Sequence, residues 1–216
     1  MKKGVIFDMD GTLLDTERFY AEGWLAVAES MGLKRNSEIP PLMSGQSWSV
    51  IPQILKKFYP DADTDLYVKK VIEYCETESE KNLSLMKGAV EILEYFKSQN
   101  IPMAVASSSF KATIEKKLRR ANLYDYFKFF VAGDEVSEGK PSPETFLKAA
   151  EKLNLPPKDC YVFEDSSNGV RAGVAAGCTT IMIPDRITPP DEIKKICDGI
   201  FDNLLDALEA IKARKI

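Results

Sequence analysis

The sequence predicts an α/β protein in which helices cover both faces of a parallel β-sheet. Short apolar runs alternate with longer amphipathic segments over most of the chain, and this order produces crossover connections between parallel strands. The stretch 16–83 differs, because its apolar residues recur with helical spacing and it contains no convincing strand. We therefore predict a Rossmann-like core formed by 1–15 and 84–216, and a small all-helical domain, 16–83, inserted after the first strand.

Each predicted element has its own signal in the sequence. The apolar run at 4–7 is the first strand, and the periodic segment from Thr16 to about Met31 is the first helix. Two more helices are expected at about 47–59 and 64–82, and the Pro40–Pro41 pair marks a break before them. The core is predicted to contain strands at 102–106, 129–132, 161–163 and 179–183 and helices at 88–98, 109–121, 143–153, 168–176 and 203–213.

The composition narrows the classes of function. The chain has 216 residues and a net charge of −4, which argues against nucleic acid or an anionic membrane as the main partner. It contains no histidine, which excludes a Ser–His–Asp triad, phosphohistidine chemistry and histidine-ligated zinc. The basic residues between 116 and 120 have the spacing of a solvated helix face; they are Lys116, Lys117, Arg119 and Arg120.

The cysteines and the apolar runs bear on the compartment. The four cysteines lie far apart in the sequence and form no C-x-x-C pair, so we expect reduced, mostly buried thiols; they are Cys75, Cys160, Cys178 and Cys197. The first apolar run is too short for a signal peptide, and no segment approaches the roughly 18 apolar residues of a membrane span. We expect a cytoplasmic monomer.

Polar residues follow four of the predicted strands at the points where the strands end. These clusters are Asp8 with Asp10, Ser107–Ser109, Gly133–Glu135 shortly before Lys140, and Glu164 with Asp165. The carboxyl ends of parallel strands lie at one edge of the sheet, and ligands bind at that edge in open α/β folds. We therefore expect the clusters to converge on one site.

The residue types at this edge suit a metal ion and a phosphate. Four carboxylates, those of Asp8, Asp10, Glu164 and Asp165, require a compensating hard cation, and all-oxygen ligands favour Mg²⁺, for which Mn²⁺ can substitute. Lys140 and the serines supply the fixed cation and the donors that a bound phosphate needs. Asp134 and Glu135 are read as loop residues outside the metal site.

Asp8 and Asp10 are two residues apart, so on a continuing strand they face the same side. One carboxylate can attack phosphorus as a nucleophile while the other transfers protons. Gly11 and Thr12 suit a tight turn after the strand, in which Thr12 either caps the turn or bonds to the Asp8 carboxylate.

These motifs resemble those of the haloacid dehalogenase-like hydrolase superfamily. The four matching segments appear in the family's order; they are D-x-D-G-T-x-x-D at 8–15, the strand ending in Ser107, K-P-x-P at 140–143 and E-D-S-x-x-G at 164–169. The helical insert resembles the small cap domain of this superfamily. The resemblance is closest to the branch of sugar-phosphate phosphatases and β-phosphoglucomutases.

The resemblance implies a role for each matching residue. Asp8 is expected to be the nucleophile and a metal ligand, and Asp10 the general acid/base that also binds the metal through its backbone carbonyl. Asp165 is expected to ligate Mg²⁺, with Glu164 either a second ligand or a partner that supports the ligands.

The phosphoryl group is expected to be held by Lys140 and the serine cluster. Ser107 and Ser108 are the predicted donors, although Ser107 has a serious alternative as the N-cap of the following helix. For Gly169, Gly173 and Gly177, close packing of a helix on the sheet is favoured over a membrane G-x-x-x-G motif.

Substrate selection is predicted to depend on the helical insert. Tyr20 and Trp24 have the spacing of core aromatics, and Tyr20 is also a candidate to face the substrate. Gly45, Gln46 and Trp48, in a loop between helices, are predicted to help select the substrate.

The residues of the chain fit three functions to different degrees. A Mg²⁺-dependent phosphatase of small phosphorylated carbohydrates, with broad specificity, is favoured over a β-phosphoglucomutase, because the resemblance places Tyr20 and Trp48 where the mutase has a cap histidine and arginine. A receiver-type signalling module ranks lower, since receivers are the size of one small domain and lack a second aspartate such as Asp10.

Overall fold

The computed structural model describes residues 2–43, 46, 48, 50–186 and 188–216. The chain forms two compact units, a sheet unit of Met1–Asp15 with Leu85–Ile216 and a helical unit of Thr16–Ser84. Within the part of the chain described, there is no helix with the length and apolar character required to span a membrane.

The sheet unit contains a six-stranded parallel sheet in the order β3-β2-β1-β4-β5-β6. Its strands are β1 (Gly4–Phe7), β2 (Met103–Ala106), β3 (Phe129–Val131), β4 (Cys160–Glu164), β5 (Thr179–Met182) and β6 (Gly199–Ile200). The prediction of a parallel α/β core is confirmed. The strand β6 was not predicted, because a strand of two residues is too short to establish a periodicity.

The helical unit consists of α1 (Glu17–Ser30), α2 (Ile39–Met43), α3 (Ile51–Phe58) and α4 (Thr64–Asn82). The prediction of a break at Pro40–Pro41 was wrong, because both prolines lie in the first turn of α2. Backbone N–H groups of a first turn have no intrahelical partner, so proline is tolerated there. Trp24 and Tyr67 are buried in the centre of this unit with their ring centroids 5.8 Å apart.

Helices flank the strands of the sheet unit as predicted, with one unpredicted helix near the end of the chain. They are α5 (Ala89–Ser98), α6 (Lys111–Arg120), α7 (Glu144–Lys152), α8 (Ser167–Ala175), α9 (Asp191–Ile196) and α10 (Leu204–Lys212). The start of α6 was predicted two residues too early, at Ser109. The short helix α9 was missed.

Close packing of α8 on the sheet is confirmed at Gly173. A Cβ atom at Gly173 would lie 2.7 Å from Thr180 Oγ1 and 3.1 Å from Val162 Cγ1, which leaves room only for hydrogen. The cysteines are free thiols, and all are buried except the half-buried Cys197.

The strand order explains why the polar clusters meet. β1 lies between β2 and β4, so Phe7 pairs with Val105 on one side and with Phe163 on the other. The Phe7 and Phe163 rings stack with centroids 4.9 Å apart, and this contact stabilises the register of β1 with β4. Residues that follow these three strands therefore occupy neighbouring positions at the carboxyl edge of the sheet.

Gly88 precedes α5 and lies close to the backbone in the first turn of α10. It has a φ of 87°, a left-handed conformation that glycine adopts without a steric penalty. A Cβ atom at Gly88 would lie 2.2 Å from the backbone nitrogen of Leu205. Gly177 has a similar φ of 80°, but nothing lies within 4 Å of its Cβ position.

We predict that Gly88→Ala destabilises the protein more than Gly177→Ala. Both substitutions force an L-residue into the left-handed region, at about 1–2 kcal/mol. Gly88→Ala also displaces the backbone at Leu205, which adds roughly 1–3 kcal/mol. Urea unfolding of the two variants measures the difference, and equal losses of unfolding free energy would contradict the predicted clash.

Candidate active site

Asp8 directly follows the central strand and is held by the neighbouring strand. Its backbone N–H donates to the Phe163 carbonyl at 2.9 Å, which continues the β1–β4 ladder by one residue. The chain then turns, with Leu13 N–H bonded to the Met9 carbonyl and Gly11 in a left-handed conformation. The strand therefore ends before Asp10, and the premise that Asp8 and Asp10 lie on one continuing strand was wrong.

Lys140 is the buried cation of the site. Its Nζ lies 2.6 Å from Asp8 Oδ1 and 2.5 Å from Glu164 Oε1, and it also donates to the Ala106 carbonyl at 3.1 Å. All three charged side chains are at least nine-tenths buried. Lys140 thus links the residues at the ends of β1, β2 and β4.

Glu164 is held by the beginning of α8 as well as by Lys140. Its Oε2 accepts hydrogen bonds from the backbone N–H of Ser166 at 2.9 Å and from the Ser166 hydroxyl at 3.0 Å. A Cβ atom at Gly169 would lie 1.8 Å from the Glu164 carboxyl group. The glycine of the E-D-S-x-x-G segment therefore makes room for this carboxylate.

Burial and neighbouring charges shift the pKa values in this cluster. Burial raises the pKa of the Asp8 carboxyl well above its usual value, and Glu164 adds to the shift while Lys140 opposes it. Burial alone would lower the pKa of the Lys140 ammonium group, but the charges of Asp8 and Glu164 outweigh burial and raise it. Lys140 thus offsets only part of the effect of burial on the Asp8 pKa.

Asp8, Glu164 and Asp165 fit a divalent cation. One carboxylate oxygen from each lies within 4.8 Å of the others, and all three residues are buried. Three carboxylates and one ammonium group leave an excess of negative charge, and oxygen-only donors are the preferred ligands of hard divalent cations.

The carboxylate of Asp10 belongs to a separate pair of contacts. Its Oδ1 lies 2.6 Å from Lys117 Nζ on α6, and its Oδ2 accepts a hydrogen bond from the Ser109 hydroxyl at 2.8 Å. Its side chain is thus oriented by two donors that follow β2. Neither contact was predicted from the sequence.

Lys117 is buried, with 6% of its surface exposed, so its assignment to a solvated helix face was wrong. The neighbouring residues Lys116, Arg119 and Arg120 are exposed as predicted. The helical spacing of Ile114, Lys117 and Leu118, the buried residues of α6, was the available signal. That signal was ambiguous, because lysine is rarely buried without a partner and the partner lies 107 residues away.

The serines after β2 differ in exposure. Ser107 is buried and its hydroxyl accepts the backbone N–H of Ser109 at 3.1 Å, whereas Ser108 is exposed. Ser107 does not cap α6, because Phe110 occupies the N-cap position and Asp134 accepts the first N–H of the helix, that of Lys111, at 3.0 Å. Within the described part of the chain, the buried Thr12 hydroxyl has no hydrogen-bond partner, so neither predicted contact of Thr12 is observed.

The loop that carries Lys140 is anchored by α7. Glu144, in the first turn of α7, accepts the backbone N–H groups of Ser137 and Glu138 at 2.9–3.0 Å. Its hydrogen bonds, first with Lys148 and then with these N–H groups, lower the pKa of the Glu144 carboxyl to about 2.

The proposed specificity residues lie in the helical unit. Tyr20 and Trp48 pack against its core with ring centroids 5.8 Å apart, and Trp24 is buried. Gln46 is exposed. Gly45 lies outside the described residues.

Comparison with known proteins agrees with the fold and identifies the family. The sequence profile of the haloacid dehalogenase-like hydrolases matches residues 5–183. The phosphorylated carbohydrates phosphatase of Thermotoga maritima is 36% identical over 83% of each chain, and the fructose-1-phosphate phosphatase YqaB of Escherichia coli is 33% identical over 82% of this chain and 94% of its own. The crystal structure of a putative β-phosphoglucomutase from Thermotoga maritima superposes with a TM-score of 0.79 at 31% identity, covering 98% of this chain and 99% of that one.

We predict that Lys140→Met destabilises the metal-free protein by about 3–5 kcal/mol, because the substitution leaves two buried carboxylates without their cation. Lys212→Met is the matched control, since its ion pair with Glu209 is exposed on α10 and is worth at most about 1 kcal/mol. Chemical unfolding at pH 7 in a chelator measures both. Similar losses in the two variants would show that the Lys140 contacts do not support the fold.

Proposed function

The chain belongs to the haloacid dehalogenase-like hydrolase family, and on that premise we propose that it is a Mg²⁺-dependent phosphatase of small phosphorylated carbohydrates. One observation carries the proposal: the buried Asp8 carboxylate contacts a buried lysine and belongs to a cluster of three buried acidic residues, at the carboxyl edge of a parallel sheet. The names of two relatives, a phosphorylated carbohydrates phosphatase and a fructose-1-phosphate phosphatase, support the substrate class.

The first half of the reaction transfers the phosphoryl group to Asp8. A carboxylate oxygen of Asp8 forms a bond to phosphorus, and the bond between phosphorus and the sugar oxygen breaks. Asp10 donates a proton to the leaving oxygen, so that the sugar departs as an alcohol. The product is an aspartyl phosphate and a free sugar.

The second half returns the enzyme to its starting state. A water oxygen forms a bond to phosphorus while the bond to Asp8 breaks, and Asp10 takes the proton from the water. Inorganic phosphate leaves and Asp8 is again a carboxylate. One carboxyl group thus serves as acid and then as base.

Positive charge and hydrogen-bond donors assist both steps. We assign Lys140 and the Ser107 hydroxyl to the transferring phosphoryl group, because Lys140 contacts Asp8 and Ser107 is buried just after β2, the neighbour of β1. Binding of the phosphoryl group by Ser108, through its backbone N–H or its exposed hydroxyl, stays a prediction. These fixed donors stabilise the charge that develops on the phosphoryl oxygens.

The acidic cluster is the proposed site of Mg²⁺. Asp8 and Asp165 are the proposed side-chain ligands together with the backbone carbonyl of Asp10. Glu164 already accepts hydrogen bonds from Lys140 and Ser166, which favours a supporting role for it. Bound Mg²⁺ would reduce the repulsion between the Asp8 carboxylate and the phosphate.

A mutase that returns the phosphoryl group to a sugar is the second candidate. The similarity to a putative β-phosphoglucomutase structure favours it. Tyr20 and Trp48 argue for the phosphatase, because their aromatic side chains supply no charge for the second phosphate of a bisphosphate. Selection of the sugar by Tyr20, Gly45, Gln46 and Trp48 stays a prediction, as does action as a cytoplasmic monomer without nucleic acid or membrane.

We predict phosphate release from hexose, pentose and tetrose phosphates in the presence of Mg²⁺, with little conversion of β-glucose 1-phosphate to glucose 6-phosphate. The assay measures both products with the same enzyme. Fast isomerisation with negligible hydrolysis would identify the mutase instead.

Asp8→Asn is the control for the mechanism in this assay. It should reduce turnover at least about 10³-fold while the protein remains folded, because an amide cannot replace the nucleophile. Substantial residual activity would rule out the aspartyl-phosphate route.

We predict that Mg²⁺ raises the melting temperature of the protein, and that Asp165→Asn abolishes most of this increase. Binding at 100 times the dissociation constant stabilises a folded protein by about 2.7 kcal/mol. Glu151→Gln, an exposed position on α7, is the matched control and should respond to Mg²⁺ like the unmodified protein. An unchanged response of Asp165→Asn would remove that residue from the metal site.

A further inference from the structure

We propose that Lys117 is a positioning residue that, together with Ser109, holds the carboxylate of Asp10 in place for the hydrolysis of the phosphoenzyme. The inference rests on the proposed function, because it concerns the step in which water replaces Asp8 on phosphorus. Lys117 lies within α6, outside the segments that carry the resemblance to the family, and no role was predicted for it from the sequence.

Burial is the first observation behind this inference. Lys117 is 6% exposed on a helix whose other basic residues, Lys111, Lys116, Arg119 and Arg120, are exposed. Burying a lysine side chain costs free energy in lost hydration and in lost rotamer freedom. Because Lys117 Nζ lies 2.6 Å from Asp10 Oδ1, this ion pair compensates for the cost of burying the lysine, and Asp10 is its specific partner.

The second observation is that both oxygens of Asp10 are engaged. Lys117 Nζ contacts Oδ1, and the Ser109 hydroxyl donates to Oδ2 at 2.8 Å. Two donors on different oxygens fix the plane of the carboxyl group as well as its position. A catalytic base needs this control, because displacements of about 1 Å can reduce a rate by roughly 10²-fold.

The third observation connects Asp10 to the proposed phosphate site. The Ser109 backbone N–H donates to the Ser107 hydroxyl at 3.1 Å, so the residue that orients Asp10 also contacts the proposed phosphate donor. Asp10, Ser109 and Ser107 thus form one hydrogen-bonded series, and Lys117 contacts its Asp10 end. In the proposed second half-reaction Asp10 accepts a proton from water as the new bond to phosphorus forms and the bond to Asp8 breaks, so the position of its carboxyl group affects this step.

The test separates the two half-reactions with p-nitrophenyl phosphate and Mg²⁺. Nitrophenolate leaves without a proton, so the first turnover reports phosphorylation of Asp8, and the steady state reports hydrolysis of the phosphoenzyme. In Lys117→Met we expect a burst of nearly one nitrophenolate per active site, followed by a steady-state rate reduced roughly 10- to 100-fold. The value of kcat/KM should change by less than about twofold, since it reports only the first half-reaction.

Lys116→Met is the matched control on the same helix and should leave both phases unchanged, because Lys116 is exposed. Lys117→Arg should recover part of the steady-state rate. If Lys117→Met does not fold, Lys117→Gln replaces it, and it should show the same burst and the same slow steady state.

Three outcomes overturn the inference: no burst in the Lys117 variants, an equal loss of burst rate and steady-state rate, or a faster steady state. The last would mean that the ion pair holds Asp10 away from the water. Asp10→Asn distinguishes the inference from the proposed function. If Asp10→Asn accumulates phosphoenzyme and Lys117→Met does not, the inference alone fails; if Asp10→Asn hydrolyses the phosphoenzyme normally, the proposed role of Asp10 fails.

Discussion

The ion pairs of Lys140 with Asp8 and Glu164 are the interaction on which the rest of the site depends. Asp8 follows β1, Glu164 ends β4, and the Ala106 carbonyl at the end of β2 accepts a hydrogen bond from Lys140. The side chains of Lys140, Asp8 and Glu164 are almost fully buried. Without a cation, the carboxylates would be strongly destabilised by burial and by each other. Lys140 compensates for only part of the charge, since it is one ammonium group beside the three carboxylates of Asp8, Glu164 and Asp165. The remaining negative charge favours the binding of a divalent metal ion.

A second, separate ion pair organises Asp10. Its carboxylate contacts Lys117 and Ser109, while the carboxylates of Asp8, Glu164 and Asp165 face one another. Two aspartates only two residues apart thus have different electrostatic surroundings, because the turn after β1 directs their side chains to different elements. This separation supports the two proposed roles, a nucleophile beside the proposed metal site and a proton carrier beside a lysine. Two glycines contribute by lacking a side chain: Gly169 leaves space for the Glu164 carboxylate, and Gly88 leaves space for the backbone at Leu205.

The strands β1 to β5 and most helices of the core were predictable from the sequence, because their apolar periods and their glycine and proline boundaries are local signals. The elements α2, α9 and β6 were not, since they are too short for a period to emerge. The break predicted at Pro40–Pro41 was wrong because proline is compatible with the first turn of a helix. Among the site residues, those adjacent to strand ends were recognisable. Lys117 was not, because its helical spacing with Ile114 and Leu118 is an ambiguous signal and its partner Asp10 lies 107 residues away in the chain.

By itself, the sequence determined the chemistry that is available: two aspartates after the first strand, a lysine, serines and an acidic pair at later strand ends, and no histidine. It also determined the parallel sheet, since alternation of apolar and amphipathic segments is a property of neighbouring residues. Only the tertiary structure decided which groups pair. It joined Lys140 to both Asp8 and Glu164, separated the Asp10 carboxylate from theirs and buried Lys117 against it. The reason is physical: ion pairing and burial depend on distances in space, and the strand order that sets those distances is not encoded in any local spacing.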